Sequence, residues 1–192
     1  MPAGCEILSL VSDTRTFTYR IDGHDVISYV SPEWLEFALE NGANQLVVPG
    51  VLGKPLWPFI DGLESRHLYH VMLKKVRTAK AVICFSYRCD APQLRRYMEM
   101  VVRPWGVVRG VEFNSRVVRE VPREPVPLLA PTAARSAQMI TMCAWCKRIA
   151  TPQWLEVEEA IQRLQLFELD YMPQITHGLC RDCEKQIETS MS

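Results

Sequence analysis

The sequence predicts an α+β protein in two parts: a five-stranded antiparallel sheet with helices around it, then a small C-terminal helical module stabilised by zinc. Three observations carry this. Two period-2 runs near the N-terminus and three past the middle read as strands. Amphipathic helical stretches separate the two groups and can cover one sheet face. Two Cys-x-x-Cys pairs, Cys143-Ala-Trp-Cys146 and Cys180-Arg-Asp-Cys183, stand near the end of the chain.

Phe17, Tyr19 and Ile21 alternate with polar neighbours over 16–22, and Asp22-Gly23 then supplies a turn. Val26 to Val30 follows closely enough to pair antiparallel with that first run. Ser31, Pro32 and Glu33 form a helix start, as capping residue, first-turn proline and acid at the positive end of the dipole. Trp34, Leu35, Phe37, Ala38 and Leu39 supply that helix's buried face, and Asn41-Gly42 ends it. The stretch 49–62 holds Pro49, Pro55 and Pro58 with Gly50, Gly53 and Gly62, so it winds, with at most short helical turns.

A longer helix runs over about 63–78. Leu68, Tyr69, Met72, Leu73 and Val76 form its apolar face, opposite a charged face of Arg66, His70, Lys74 and Arg77. Ile83, Phe85, Tyr87 and Cys89 alternate in the next run, Met98, Met100 and Val102 in a second, and Val111, Phe113, Ser115 and Val117 in a third. Pro122, Pro125, Pro127 and Pro131 then mark an extended linker. The divisions are an N-terminal segment 1–15, a sheet domain 16–120, a linker 121–138, a Cys/His module 139–188 and a tail 189–192. Within the module, Thr151-Pro152 reads as opening a helix with Trp154, Val157, Ile161 and Leu164 on its apolar face, and Glu156, Glu158 and Glu159 in water.

The chain has 192 residues, 48% of them hydrophobic, with 22 basic against 22 acidic residues. That balance gives no electrostatic case for non-specific nucleic-acid binding. The module's acids, Glu156, Glu158, Glu159, Glu168, Asp170, Asp182, Glu184 and Glu188, outnumber its bases, which argues against nucleic acid there too. No apolar run approaches the roughly 20 residues that span a bilayer, and Met1 to Glu6 has no basic-then-apolar leader pattern. A cytoplasmic protein is expected. Seven cysteines, an odd count with four of them in two pairs, point to metal ligation in a reducing compartment rather than disulfides.

Cys143, Cys146, Cys180 and Cys183 suit one tetrahedral zinc ion, since each pair chelates through two thiolates. A module of roughly fifty residues commonly needs such a metal to stay folded. His177, three residues before Cys180, is an alternative ligand or a hydrogen-bonding neighbour of one. The competing reading of Cys143 and Cys146 is thiol-disulfide exchange, or a zinc site that releases its metal on oxidation. Phe85, Tyr87, Met98, Met100 and Phe113 read either as core or as the lining of a ligand cavity. Arg88, Asp90, Arg95 and Arg96 cluster around a strand-to-strand turn, where Asp90 capping the turn and pairing with an arginine is favoured over anion binding. His24 is a turn residue.

Ile27 to Leu35, Val51 to Ile60 and the three closing strands resemble the Per-ARNT-Sim (PAS) sensory domain, over roughly residues 16–120. The resemblance implies a five-stranded sheet with helices around a small cavity, used for signal input and dimerisation. Some haem-binding members of that family carry an axial histidine where His67 and His70 lie, but here both sit among Arg66, Lys74 and Arg77 and read as solvated polar residues. The tail, through Trp154 and His177-Gly-Leu-Cys180-Arg-Asp-Cys183, resembles a Cys/His segment of bacterial signalling proteins, which implies a structural or interaction role. With no Gly-rich phosphate loop, nucleophile elbow or paired-carboxylate motif, the expectation is a non-catalytic sensor. Its zinc module would contact a protein partner, with a homodimer implied by the family alone.

Overall fold

The computed structural model describes residues 15–46, 50–166 and 169–191. Of the expected elements, the N-terminal segment before Arg15, Pro49, Glu168 and Ser192 lie outside the described residues.

Strand β1 (Thr16–Ile21) pairs antiparallel with β2 (Ile27–Val30). Asp22 organises their turn, its Oδ1 accepting from the amides of His24 at 2.8 Å and Val26 at 3.0 Å. Helix α1 (Pro32–Glu40) starts as its sequence dictates: Ser31 Oγ accepts from the Trp34 amide at 3.2 Å, satisfying one of the donors left open at a helix start. After a winding segment comes α2 (Leu63–Ala79), which buries Leu68, Met72, Leu73 and Val76. Strands β3 (Ile83–Arg88), β4 (Leu94–Trp105) and β5 (Gly110–Pro122) complete an antiparallel sheet of order β2-β1-β5-β4-β3. This is the PAS-like architecture, with the helices inserted between β2 and β3.

Both outer strands bond to the chain's own segments. The Ile27 amide on β2 donates to Lys54 O at 2.9 Å and the Gly53 amide donates to Ile27 O at 2.9 Å, while on β3 the Arg88 amide donates to Trp145 O at 2.7 Å. On the sheet, Glu112 is buried and held by Arg20 at 2.7 Å, Arg103 at 2.7 Å and Asn114 at 2.8 Å. Arg77, expected on a solvated face, instead pairs with Asp25 at 2.7 Å.

The C-terminal part adds a second sheet to the expected helices. Strands β6 (Arg135–Cys143), β7 (Ile149–Ala150), β8 (Trp154–Leu155) and β9 (Met172–Gly178) form the order β8-β7-β6-β9, with α3 (Val157–Arg163) between β8 and β9, and α4 (Arg181–Ser190) last. Strands β6 and β9 run parallel.

Two sequence expectations need correction here. Thr151-Pro152 does not open a helix: the Thr151 hydroxyl and amide both bond Gln153 in a turn joining β7 to β8, which places Trp154 on a strand and Leu164 near the surface. The helix begins at Val157. The proline-rich stretch is not a free linker either. Val126 and Leu128 are buried with Met142, Ile149, Val157 and Ile161, so this segment supplies core to the small sheet.

Leu128 is fully buried (0% exposed). Leu128→Ala should therefore lower unfolding free energy by about 2–5 kcal/mol in urea titration, whereas a segment acting only as a tether would show a change near zero.

Candidate metal centre and the cleft beside it

Cys143 and Cys180 are distant in sequence, and the fold joins them through strand direction. Because β6 and β9 are parallel neighbours with Cys143 opposite Gly178, their C-terminal ends emerge side by side. The chain then turns sharply at each end. After β6, the Cys143 amide donates to Arg148 O at 2.7 Å and the Lys147 amide to Cys143 O at 3.0 Å, with Lys147 in the left-handed region at φ 64. After β9, Cys180 becomes the N-cap of α4 and Cys183 lies in its first turn. The Ala144 amide bonds Gly178 O at 2.9 Å and locks the two turns together.

The four Sγ atoms lie within 4.8 Å of one another, with Cys146 and Cys180 at 3.6 Å. Zinc–sulfur bonds of about 2.3 Å in a tetrahedron set neighbouring sulfurs roughly 3.8 Å apart, so the donor set fits zinc. The Cys180 amide donates to Cys143 Sγ at 3.5 Å, the kind of bond that supports a thiolate. Shared among the thiols alone, charge concentrates on one sulfur. Hydrogen bonds from Cys146 and Cys183 hold Cys143 far below the ordinary thiol value, while their bonds to Cys143 push Cys146 up to about 12 and Cys183 higher still. A divalent cation would relieve that competition by taking all four as thiolates.

His177 does not join this set. On β9 beside Met142, its Nδ1 lies 3.6 Å from Asp61, and burial together with the Lys147 ammonium holds its pKa below the ordinary value. The loop that brings Asp61 here depends on Gly62. Its φ is 84, and a Cβ at that position would lie 2.8 Å from the His177 carbonyl oxygen.

The residue between the first two cysteines reaches the five-stranded sheet domain. The Trp145 ring sits 6.1 Å from Tyr69 on α2 and 5.9 Å from Phe85 on β3, and its carbonyl accepts the Arg88 amide. Cys143, Cys180, Cys183 and Ile187 belong to the same buried cluster as Met72, Phe85 and Phe113. The cysteine cluster and the sheet domain thus share one core. A cleft of about 260 Å³ opens at this junction. Of the five residues expected to line a cavity, Phe85, Tyr87 and Met100 face it. Phe113 is fully buried and stacked on Tyr19 at 4.3 Å, and Met98 packs with Phe17 and Val117.

His67 is exposed on the surface of α2, and His70 stacks on Trp57 at 3.8 Å. The Arg88 turn is the ionic junction of the two parts. Buried Asp90 pairs with Arg88 and, at 3.1 Å, with Arg123. Arg88 also reaches Glu156 at 2.6 Å, and Glu158 receives Arg95 at 2.8 Å and Arg123 at 3.2 Å. Burial alone would pull the Arg88 pKa down, but its bonds to Asp90 and Glu156 outweigh this and raise it. Glu156 and Glu158 are therefore paired across the junction rather than solvated; Glu159 does face water. Sequence reading missed Trp145 as a junction residue. The available signal was a large apolar side chain in a module with little core of its own.

No helix among the described residues is long and apolar enough to cross a membrane. No family model and no curated protein matches the chain. Solved structures similar to it include the photoactive yellow protein domain of the sensor histidine kinase Ppr from Rhodospirillum centenum, at 13% identity and TM-score 0.39 over 53% of this chain and 84% of that one. Cycle PAS-B of Drosophila melanogaster with bound ethylene glycol is 14% identical, at TM-score 0.39 over 53% of this chain and 98% of that one. The RpfR quorum-sensing receptor PAS domain of Cronobacter turicensis, in complex with C12:0, is 14% identical at TM-score 0.35, over 57% of this chain and all (100%) of that one.

Removing the acid at the centre of the ionic junction leaves two buried guanidinium groups short of countercharge. Asp90→Asn should lower stability by about 3–5 kcal/mol in urea titration. Paired carboxylates on the sheet and at the junction also predict an acid response. Burial pushes the Glu112 and Glu158 carboxyls up, but hydrogen bonds to both, from Asn114, Arg20 and Arg103 on Glu112 and from its own backbone amide, Arg95 and Arg123 on Glu158, outweigh it and leave both below the ordinary 4.5. Groups depressed on folding contribute stability above their unfolded value and lose it as pH falls through the folded one. The urea midpoint should hold at pH 6 and above and fall from about pH 5 toward 3, less steeply in Glu158→Gln.

Proposed function

We propose that this chain is a non-catalytic signal-sensing and interaction protein, in which the PAS-like domain is the input and a structural zinc module, held by Cys143, Cys146, Cys180 and Cys183, presents a surface to a protein partner. The observation that carries this reading is the position of Trp145. It sits between two thiols of the cluster and packs on Tyr69 and Phe85. A change in the sensory core is therefore felt at the metal turn through direct packing, with no flexible tether between. The shared buried cluster supports the same view, since α4 contributes Ile187 to it.

A redox-sensitive zinc switch is the second reading. Cys143, Cys180 and Cys183 are buried while Cys146 is partly exposed, so an oxidant reaches one ligand first. Thiol-disulfide exchange as an enzyme is disfavoured, because a closed four-sulfur set with Cys143 fully inside leaves no accessible attacking pair.

Protein purified under reducing conditions should carry about one zinc per chain. Its removal by a strong chelator should melt the C-terminal sheet and α4, read as lost hydrogen-exchange protection over 135–190. A metal-free protein that retains full protection there would overturn the proposal.

A further inference from the structure

Two residues that line the junction cleft each carry a buried polar atom with no hydrogen-bond partner among the described residues: the Trp145 indole Nε1 and the Ser65 Oγ. Both residues are almost wholly buried, at 5% and 2% exposed. An orphaned buried donor costs about 1–3 kcal/mol, so two of them in one cleft need a reason. Ser65 and Tyr69 stand one turn apart on α2, and Tyr69, Phe85 and Trp145 present ring surfaces to the same space. The cleft thus has aromatic walls and two polar atoms awaiting a partner.

We propose that this cleft is a ligand site for a small aromatic carboxylate, whose ring lies among Tyr69, Phe85 and Trp145 and whose oxygens accept from Trp145 Nε1–H and Ser65 Oγ–H. About 260 Å³ suits a molecule of roughly a dozen non-hydrogen atoms, at about 20 Å³ each. The donors at the site call for an acceptor oxygen. Arg88 is already paired with Asp90 and Glu156, but Lys147 also lines the cleft; its Nζ gives one hydrogen bond to Ala144 O at 2.7 Å and keeps further protons to donate to a carboxylate. The site is composite: α2 and β3 form one wall, and the turn between Cys143 and Cys146 forms the other. Sensing and metal holding therefore meet at one residue, and this inference extends the sensing role proposed above.

The test uses the zinc-loaded full chain with two probes, indole-3-acetate and indole, the second lacking the carboxylate. Affinities come from calorimetry. The Trp145 indole N–H resonance, identified among the five tryptophans by its loss in Trp145→Phe, reports the contact directly. Indole-3-acetate should bind, shift that resonance downfield, and bind more tightly than indole. Trp145→Phe should weaken it roughly five- to tenfold and Ser65→Ala roughly two- to threefold, each the loss of one hydrogen bond. Zinc content and melting temperature of each variant separate a lost contact from a lost fold. Failure of both probes to bind the zinc-loaded protein overturns the site while leaving the metal module standing. So does equal affinity for indole, or a Trp145 resonance that does not move. Binding by metal-free, folded protein would instead retain the site and reject the zinc module.

Discussion

A parallel pair of strands cannot be closed by a tight turn, and the C-terminal half of this protein follows from that constraint. Strands β6 and β9 must be joined by a crossover, here the β7–β8 hairpin and α3. The crossover accounts for the wide gap between the two cysteine pairs, and the parallel direction accounts for their meeting. Had the strands run antiparallel, Cys143 and Cys180 would leave the sheet at opposite ends. The four-cysteine cluster is in this sense a property of sheet topology, realised by two short turns that each need one unusual feature: a left-handed Lys147 in one and a helix start at Cys180 in the other.

The second sheet does not stand apart from the first. Its core is small, and much of what its α4 and metal turn bury is buried against α2 and β3. Apolar contact of this kind is non-directional, so the ionic junction of Arg88, Asp90, Arg123, Glu156 and Glu158 has a different part in the structure. Desolvation offsets most of the attraction in such buried pairs, so they specify arrangement more than they add stability. Sliding α3 by one turn against β3 would leave charges buried without partners. Packing holds the two parts together, and the charges set how they sit.

Much of the first part was legible in the sequence because local chemistry and fold agree there. Ser31 and Pro32 start α1, the four-residue repeat of Leu68, Met72 and Val76 gives the buried face of α2, and alternation marks β1, β3, β4 and β5 of the large sheet. That the four cysteines gather at one place was legible from spacing alone. What was not legible depended on distant partners. Thr151-Pro152 satisfies the rules for a helix start and for a turn equally, and only the pairing of Ile149 with Leu155 decides between them. Glu156 and Glu158 look like a solvated helix edge until the arginines of the β3–β4 turn lie opposite. The prolines before β6 suggested an open tether because composition does not reveal that Val126 and Leu128 point into a core. His177 has the right spacing for a ligand, and only the loop at Gly62 shows that it faces Asp61 instead.

Unsatisfied sheet edges are where folded proteins polymerise, because a row of free amides and carbonyls accepts a strand from a second molecule as readily as from its own. In this protein the segment around Gly53 and Lys54 occupies the β2 side, and the backbone of Trp145 caps the Arg88 end of β3. Strand addition is thereby blocked at β2 and at the Arg88 end of β3. Both blocks are made by the chain's own backbone, and the second depends on the turn after Cys143 keeping its place.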